Sequence, residues 1–130
     1  MALLDSDILI SYLRGNQEAR SFIENLEKMG EKFFTSSINA FELFEGTFLS
    51  ENRDQSLANA EGLLRTMEIL SFSEMVSKKA AHISATLRKN GRIIDFQDIA
   101  IASVCVSNGQ KIVTRNIKDF SKTGIATANY

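Results

Sequence analysis

The 130-residue chain has no proline, one cysteine (Cys105) and one histidine (His82). It also has no apolar run approaching the roughly 18–20 residues of a membrane span. A single cysteine excludes an internal disulfide and fits a reducing compartment. A single histidine leaves no basis for a two-histidine ribonuclease mechanism, and a serine–histidine triad is a poor candidate. No Cys/His cluster has zinc spacing, and no glycine-rich loop could cradle a phosphate. The first residues carry neither a basic leader nor a cleavage site, so a cytoplasmic location without a membrane partner is expected. Any hydrolytic chemistry in this chain falls to carboxylates.

With 44% hydrophobic and 24% charged residues, the composition is that of an ordinary globular protein. One domain over 1–130 is expected, long enough to bury roughly two thirds of its unfolded surface. The net charge of −1 hides an asymmetry. Residues 1–77 carry 13 acids against 6 Lys/Arg, whereas residues 78–130 carry 9 Lys/Arg against 3 acids. Such a division is compatible with a nucleic-acid partner and equally with two solvated faces.

Met1–Leu4 is an apolar run ending in Asp5-Ser6-Asp7, which reads as a buried strand entering a helix through an acidic turn. Asp7 or Ser6 is the expected cap of a helix over Ile8–Arg14. A second helix is predicted from Asn16 to Met29, a strand at Lys32–Thr35, and a third helix capped by Ser36 or Ser37. A fourth helix begins near Asn52, a strand follows at Glu68–Leu70, and Ser71-x-x-Glu74 has capping-box spacing before a fifth helix. Asp95 caps a sixth, nearly all-apolar helix to about Ser107, which should be buried. Lys111–Thr114 is a further strand and Ile125–Ala128 a candidate fifth. Alternating strands and helices predict an α/β fold with a mainly parallel sheet of four to five strands, flanked by helices on both faces.

Four acids stand in apolar surroundings, where an ionised group needs a partner or a metal. Asp5 ends the first strand, Glu42 lies early in the third helix, Asp98 one turn into the sixth, and Asp119 in the loop after the fourth strand. In a parallel sheet all four places can share one edge. Each acid also has an ordinary role open to it: helix-end stabilisation for Asp95 and Asp98, a solvated face for Glu42, and a loop ion pair with Arg115 or Lys118 for Asp119. His82 falls off its helix's apolar stripe and reads as a surface residue, and Cys105 as a small core residue. Phe41, Phe44 and Phe48 cannot all face one stripe, so an exposed pair there would form a docking surface.

Four segments resemble the motifs of PIN-domain nucleases, in order and across essentially the whole chain. They are Leu3-Leu4-Asp5-Ser6-Asp7-Ile8-Leu9-Ile10, Ser37-Ile38-Asn39-Ala40-Phe41-Glu42-Leu43, Asp98-Ile99-Ala100-Ile101-Ala102 and Thr114-Arg115-Asn116-Ile117-Lys118-Asp119-Phe120. Within that family the length and the closing Thr-Arg-Asn-x-x-Asp-Phe are most similar to the VapC toxins of type II toxin–antitoxin modules. The resemblance implies a PIN-like single domain and an Mg²⁺-dependent endoribonuclease, with Mn²⁺ as substitute. Asp5, Glu42, Asp98 and Asp119 would be its catalytic acids. Asp5 and Asp98 would hold the metal, with Glu42 and Asp119 holding a second ion or orienting water. Ser6, Asp7, Asp95, Arg115 and Asn116 are secondary candidates, among them the positioners of the scissile phosphate. All-oxygen ligands without His or Cys agree with Mg²⁺ or Mn²⁺.

Two departures stand out: Asp7 occupies a position where the family often has Asn, and Asp95 precedes the helix aspartate by three residues. The family also implies an RNA substrate, a cognate antitoxin and a homodimer. The contrasting reading is a catalytically inactive PIN-like module that binds RNA or protein; the intact acid set argues against it. A haloacid-dehalogenase-type phosphatase has too little room in this length. A receiver domain would need a Lys-Pro that a proline-free chain lacks.

Overall fold

The computed structural model describes residues 2–124 and 127–128. Five strands, β1 (Ala2–Leu4), β2 (Phe33–Ser36), β3 (Glu68–Leu70), β4 (Lys111–Val113) and β5 (Thr127–Ala128), form one sheet in the order β3-β2-β1-β4-β5. Every pairing is parallel, with Leu3 opposite Phe34 and Ile112, and Val113 opposite Ala128. Of the fifth strand expected over 125–128, residues 125 and 126 lie outside the described residues.

Alternation along β1 divides the core in two. Ala2 and Leu4 face α1 (Ser6–Leu13), α2 (Gln17–Lys28), α3 (Ser37–Phe48) and α4 (Arg53–Leu64), packing with Ile8, Leu9, Ile23, Leu43 and Leu64. Leu3 and Ile112 face α5 (Glu74–Lys89), α6 (Phe96–Ser107) and α7 (Ile117–Ser121), packing with Val76, Ile101, Val104 and Phe120. A central strand covered on both sides has no polar face, which is why β1 is entirely apolar. Helix α6 is buried over Ile99–Cys105 as its composition predicts, and Gly109, at φ 63°, lets it turn directly into β4.

Three local expectations are corrected. Helix α1 begins at Ser6, and its N-cap is Asp5, whose carboxylate accepts from the Ser6 N–H; Asp7 lies in the first turn and is not the cap. The chain bends into helix directly from the last β1 residue, so the strand-end carboxylate itself meets the free N–H. The cap of α5 is Ser73, whose Oγ accepts from the Val76 N–H, instead of Ser71. The segment after β4, expected as a loop, contains the one-turn helix α7, anchored by the fully buried Phe120.

Strands β1, β2 and β3 run outward on one side, while β4 and β5 lie on the other. The order therefore reverses between β1 and β4. In open parallel sheets, the crevice beyond the carboxyl ends at such a reversal is where ligands bind.

Candidate active site

Asp5 leaves β1 at that crevice, and its backbone N–H extends the ladder to the Val113 carbonyl at 3.0 Å. Its carboxylate is buried and held by three donors. Oδ1 accepts from the Ser6 N–H (2.8 Å) and Asn39 Nδ2 (2.9 Å), and Oδ2 accepts from Thr114 Oγ1 (2.7 Å).

Asn39, fully buried, is fixed in turn by the start of α3. Its Oδ1 accepts from the Ser36 N–H and Ser36 Oγ, while Ser36 Oγ accepts from the Asn39 N–H, a complete reciprocal cap. With Oδ1 committed there, Nδ2 is directed to Asp5 and to Ser6 Oγ (2.9 Å). The Ser6 hydroxyl donates to Glu42 Oε1 (2.9 Å), so α1 and α3 are tied together through the site.

Across the crevice, Thr114 Oγ1 accepts from the Asn116 N–H (2.9 Å), and Asn116 Nδ2 donates to Asp98 Oδ2 at the long distance of 3.4 Å. A single hydrogen-bonded path therefore runs from Glu42 through Ser6, Asn39, Asp5, Thr114 and Asn116 to Asp98. Asp7 stands beside it: its Oδ2 accepts from the Arg115 N–H (2.8 Å) and lies 3.2 Å from Thr114 Oγ1. Asp7 thus anchors the segment between β4 and α7.

The electrostatics show the acids acting on one another. Burial, and then the charges of Asp7 and Glu42, push the Asp5 carboxyl up to about 7 despite its hydrogen bonds. Burial also raises Asp98, to about 6, with repulsion from Asp119, Asp95 and Glu42 adding to it. Asp119, on α7, reaches the cluster through this field. Lys122 Nζ lies 3.5 Å from its Oδ1, both side chains being partly exposed, a pair of little energetic weight.

Asp95 is exposed at the start of α6 and makes no side-chain cap, which separates it from Asp98. The Arg115 guanidinium pairs with Glu18 of α2 at 2.9 Å, and its backbone N–H reaches Asp7 in the site. His82 is exposed as expected, and Cys105 is buried with its thiol pushed up to about 12 by desolvation.

The donor set suits a hard divalent cation: clustered carboxylate oxygens with neither His nor Cys among them. Asp7 Oδ1 is buried without a hydrogen-bond partner, leaving an anionic oxygen in the cluster with unused capacity. Among the described residues, no three acid, His or Cys side chains already close as a ligand set around one point.

Asn39 and Thr114 are the residues that single-residue reading passed over as functional. Both lie within quoted motifs, and Ser36-x-x-Asn39 has capping-box spacing. Their neutral side chains nevertheless gave no signal of the kind that acids in apolar sequence give.

A wholly parallel sheet with carboxylates gathered over its switch point matches the architecture implied by the resemblance. The PIN domain family profile matches residues 2–126, and the chain belongs to that family. The chain is 30% identical over 122 residues to the tRNA(fMet)-specific endonuclease VapC of Shigella flexneri, covering 94% of this chain and 91% of that protein. It is 27% identical over 129 residues to ribonuclease VapC2 of Haemophilus influenzae, covering 98% and 96%. Among solved structures it is similar to VapBC2 from Rickettsia felis bound to a promoter DNA fragment. That match has a TM-score of 0.90 at 25% identity and covers 99% of this chain and 98% of that one. Within the family, this is a PIN-domain nuclease of the VapC type.

Proposed function

We propose that residues 1–130 form one PIN domain acting as a toxin-type endoribonuclease, dependent on Mg²⁺ or Mn²⁺ and restrained by a cognate antitoxin. The observation that carries this reading is the hydrogen-bonded path joining Glu42, Asp5 and Asp98 over the β1/β4 crevice, with the Asp119 charge facing Asp98. Asp5 and Asp98 would hold the cation, joined by Glu42 and Asp119. When bound, the cation would lower the pKa of water and stabilise charge on the phosphoryl oxygens.

The chain's own residues supply the rest. Glu42, oriented by the Ser6 hydroxyl, accepts a proton from the attacking water. Asn116 holds Asp98 towards the crevice, and Asn39 and Thr114 keep the Asp5 oxygens fixed. Water oxygen bonds to phosphorus, the bond from phosphorus to the 3′ oxygen breaks, and that oxygen takes up a proton. The products are a 5′-phosphate and a 3′-hydroxyl.

The test is RNA cleavage with Mg²⁺, with Mn²⁺ and with a chelator, comparing wild type with Asp98→Asn and Asp95→Asn. Loss of Asp98 should lower the rate on the order of 10²-fold or more. Loss of the exposed Asp95 should change it within about fivefold. A folded Asp98→Asn protein cleaving at the wild-type rate overturns the assignment; failure of both metals to support cleavage favours the inactive binding module.

The similar solved structures named VapBC motivate the antitoxin partner. On this chain Phe41 and Phe48 are 57% and 52% exposed along α3 while Phe44 packs against the core, an exposed pair suited to a protein partner. A homodimer in the cytoplasm completes the reading. No described helix is long and apolar enough to cross a membrane.

A further inference from the structure

Beside the acids, on the other flank of the α6 N-terminus, lies a small cavity of about 280 Å³ between α5 and α6, lined by Phe72, Ala80, Ser84, Arg88, Phe96 and Ile99 among others. No carboxylate lines it, in contrast to the crevice. Phe96, the first residue of α6, is 60% exposed, and its ring meets Phe72 edge-on with centroids 5.9 Å apart. Arg88 forms no ion pair among the described residues. The cavity is fixed to the site: the Phe72 N–H donates to Ser37 Oγ at the start of the helix that carries Asn39 and Glu42.

At about 100° per residue, Phe96 and Asp98 lie on opposite flanks of α6, about 160° apart. A strand with a phosphate at Asp98 therefore crosses the helix end to reach Phe96. The volume of about 280 Å³ falls just under the roughly 300–1,000 Å³ of drug-sized pockets, which suits one planar group. Most of its lining comes from the half of the chain with the basic balance, and Arg88 is the cation in that lining.

We propose that this cavity is a nucleobase subsite for single-stranded RNA. An unpaired base neighbouring the scissile nucleotide stacks on Phe96, and its phosphate is met by Arg88. The subsite rests on the ribonuclease reading above and adds to it a base-stacking residue outside the acids. Aromatic stacking tolerates any base, and a cation without an acidic partner answers the backbone.

The experiment titrates the full chain, in chelator so that nothing is cleaved, into a short oligouridine carrying one 2-aminopurine, whose emission is quenched on stacking. Wild type should quench the probe. Phe96→Ala should bind roughly 5- to 150-fold more weakly with the quench lost, and Phe96→Tyr should restore both. Arg88→Gln should lower the slope of log K against log salt by about 0.7. Urea unfolding of each variant controls for folding. Binding without quench, equal in wild type and Phe96→Ala, overturns the subsite and leaves the ribonuclease reading standing. A wild type that neither binds this probe nor cleaves RNA with metal overturns both. A Phe96→Ala protein that loses only its response to a co-expressed antitoxin assigns the surface to protein and overturns the subsite.

Discussion

Asp5→Asn separates the stability of the fold from the chemistry of the site. In the folded chain the Asp5 carboxyl is raised from 3.8 to about 7, by burial first and then by Asp7 and Glu42. An acid raised in this way favours the folded state fully below its unfolded value, and that contribution is lost as pH rises through the folded value. Between about pH 4 and pH 7 the unfolded chain carries fewer protons at this group, so stability falls across that window. Roughly three units at 1.36 kcal/mol each amount to about 4 kcal/mol.

Asparagine carries no charge to desolvate, and the surrounding hydrogen bonds can rearrange around it. Its Oδ1 keeps the Ser6 N–H and Asn39 Nδ2, while its amide donates to Thr114 Oγ1, whose proton turns to Asp7 Oδ2. In chelator, Asp5→Asn should therefore exceed wild type by about 2–4 kcal/mol at about pH 8, with the difference shrinking towards zero near about pH 4. Urea unfolding at several pH values measures this, and an RNA-cleavage assay should find the same variant inactive. Coincident unfolding curves at every pH would refute the reasoning, since they would mean that the ionised Asp5 is not penalised by its surroundings.

Other outcomes follow from the same network. Asn39→Ala leaves the buried Ser36 N–H without its acceptor and takes one of its two donors from Asp5 Oδ1, and should destabilise by about 1–3 kcal/mol in urea unfolding at neutral pH. An unchanged midpoint would show that the cap does not carry this load. Thr114→Val removes a donor to the Asp5 carboxylate at nearly constant volume. The metal-free stability decline through Asp5 should then extend upward by about 1–2 pH units, read from the same pH series. Glu18→Gln breaks the Arg115 ion pair at the surface and should change stability by less than about 1 kcal/mol; a larger loss would mean that this pair holds the β4–α7 segment in place.

Much of this architecture was legible because apolar spacing reports burial directly. β1, the stripe of α2 and the all-round apolar α6 each state which faces are covered, and the four acids stood out against that background. The order β3-β2-β1-β4-β5 has no such trace, because periodicity within a segment carries no information about its neighbours in space. Helix α7 is too short to show a helical period, and the choice between Ser71 and Ser73 turns on a backbone bend of one residue. Sequence points to Asp7 as a cap because capping is a local inference, whereas its actual partners, Thr114 and the Arg115 N–H, lie more than a hundred residues away. The role of Asn39 is hidden in the sequence for a related reason: a neutral amide is informative only once the groups it joins are known.

The contact between Asp5 and Thr114 spans 109 positions of the chain, and it bears on when activity can arise during biosynthesis. Ribosomes deliver β1 first and β4 nearly last, and parallel pairing between such distant segments is slow to form. A growing polypeptide that has not yet presented Thr114, Asn116 and Asp119 holds Asp5, Ser6, Asn39 and Glu42 without their opposite wall. On the proposed site assignment, the acids would therefore be assembled only after almost the whole described chain has been made.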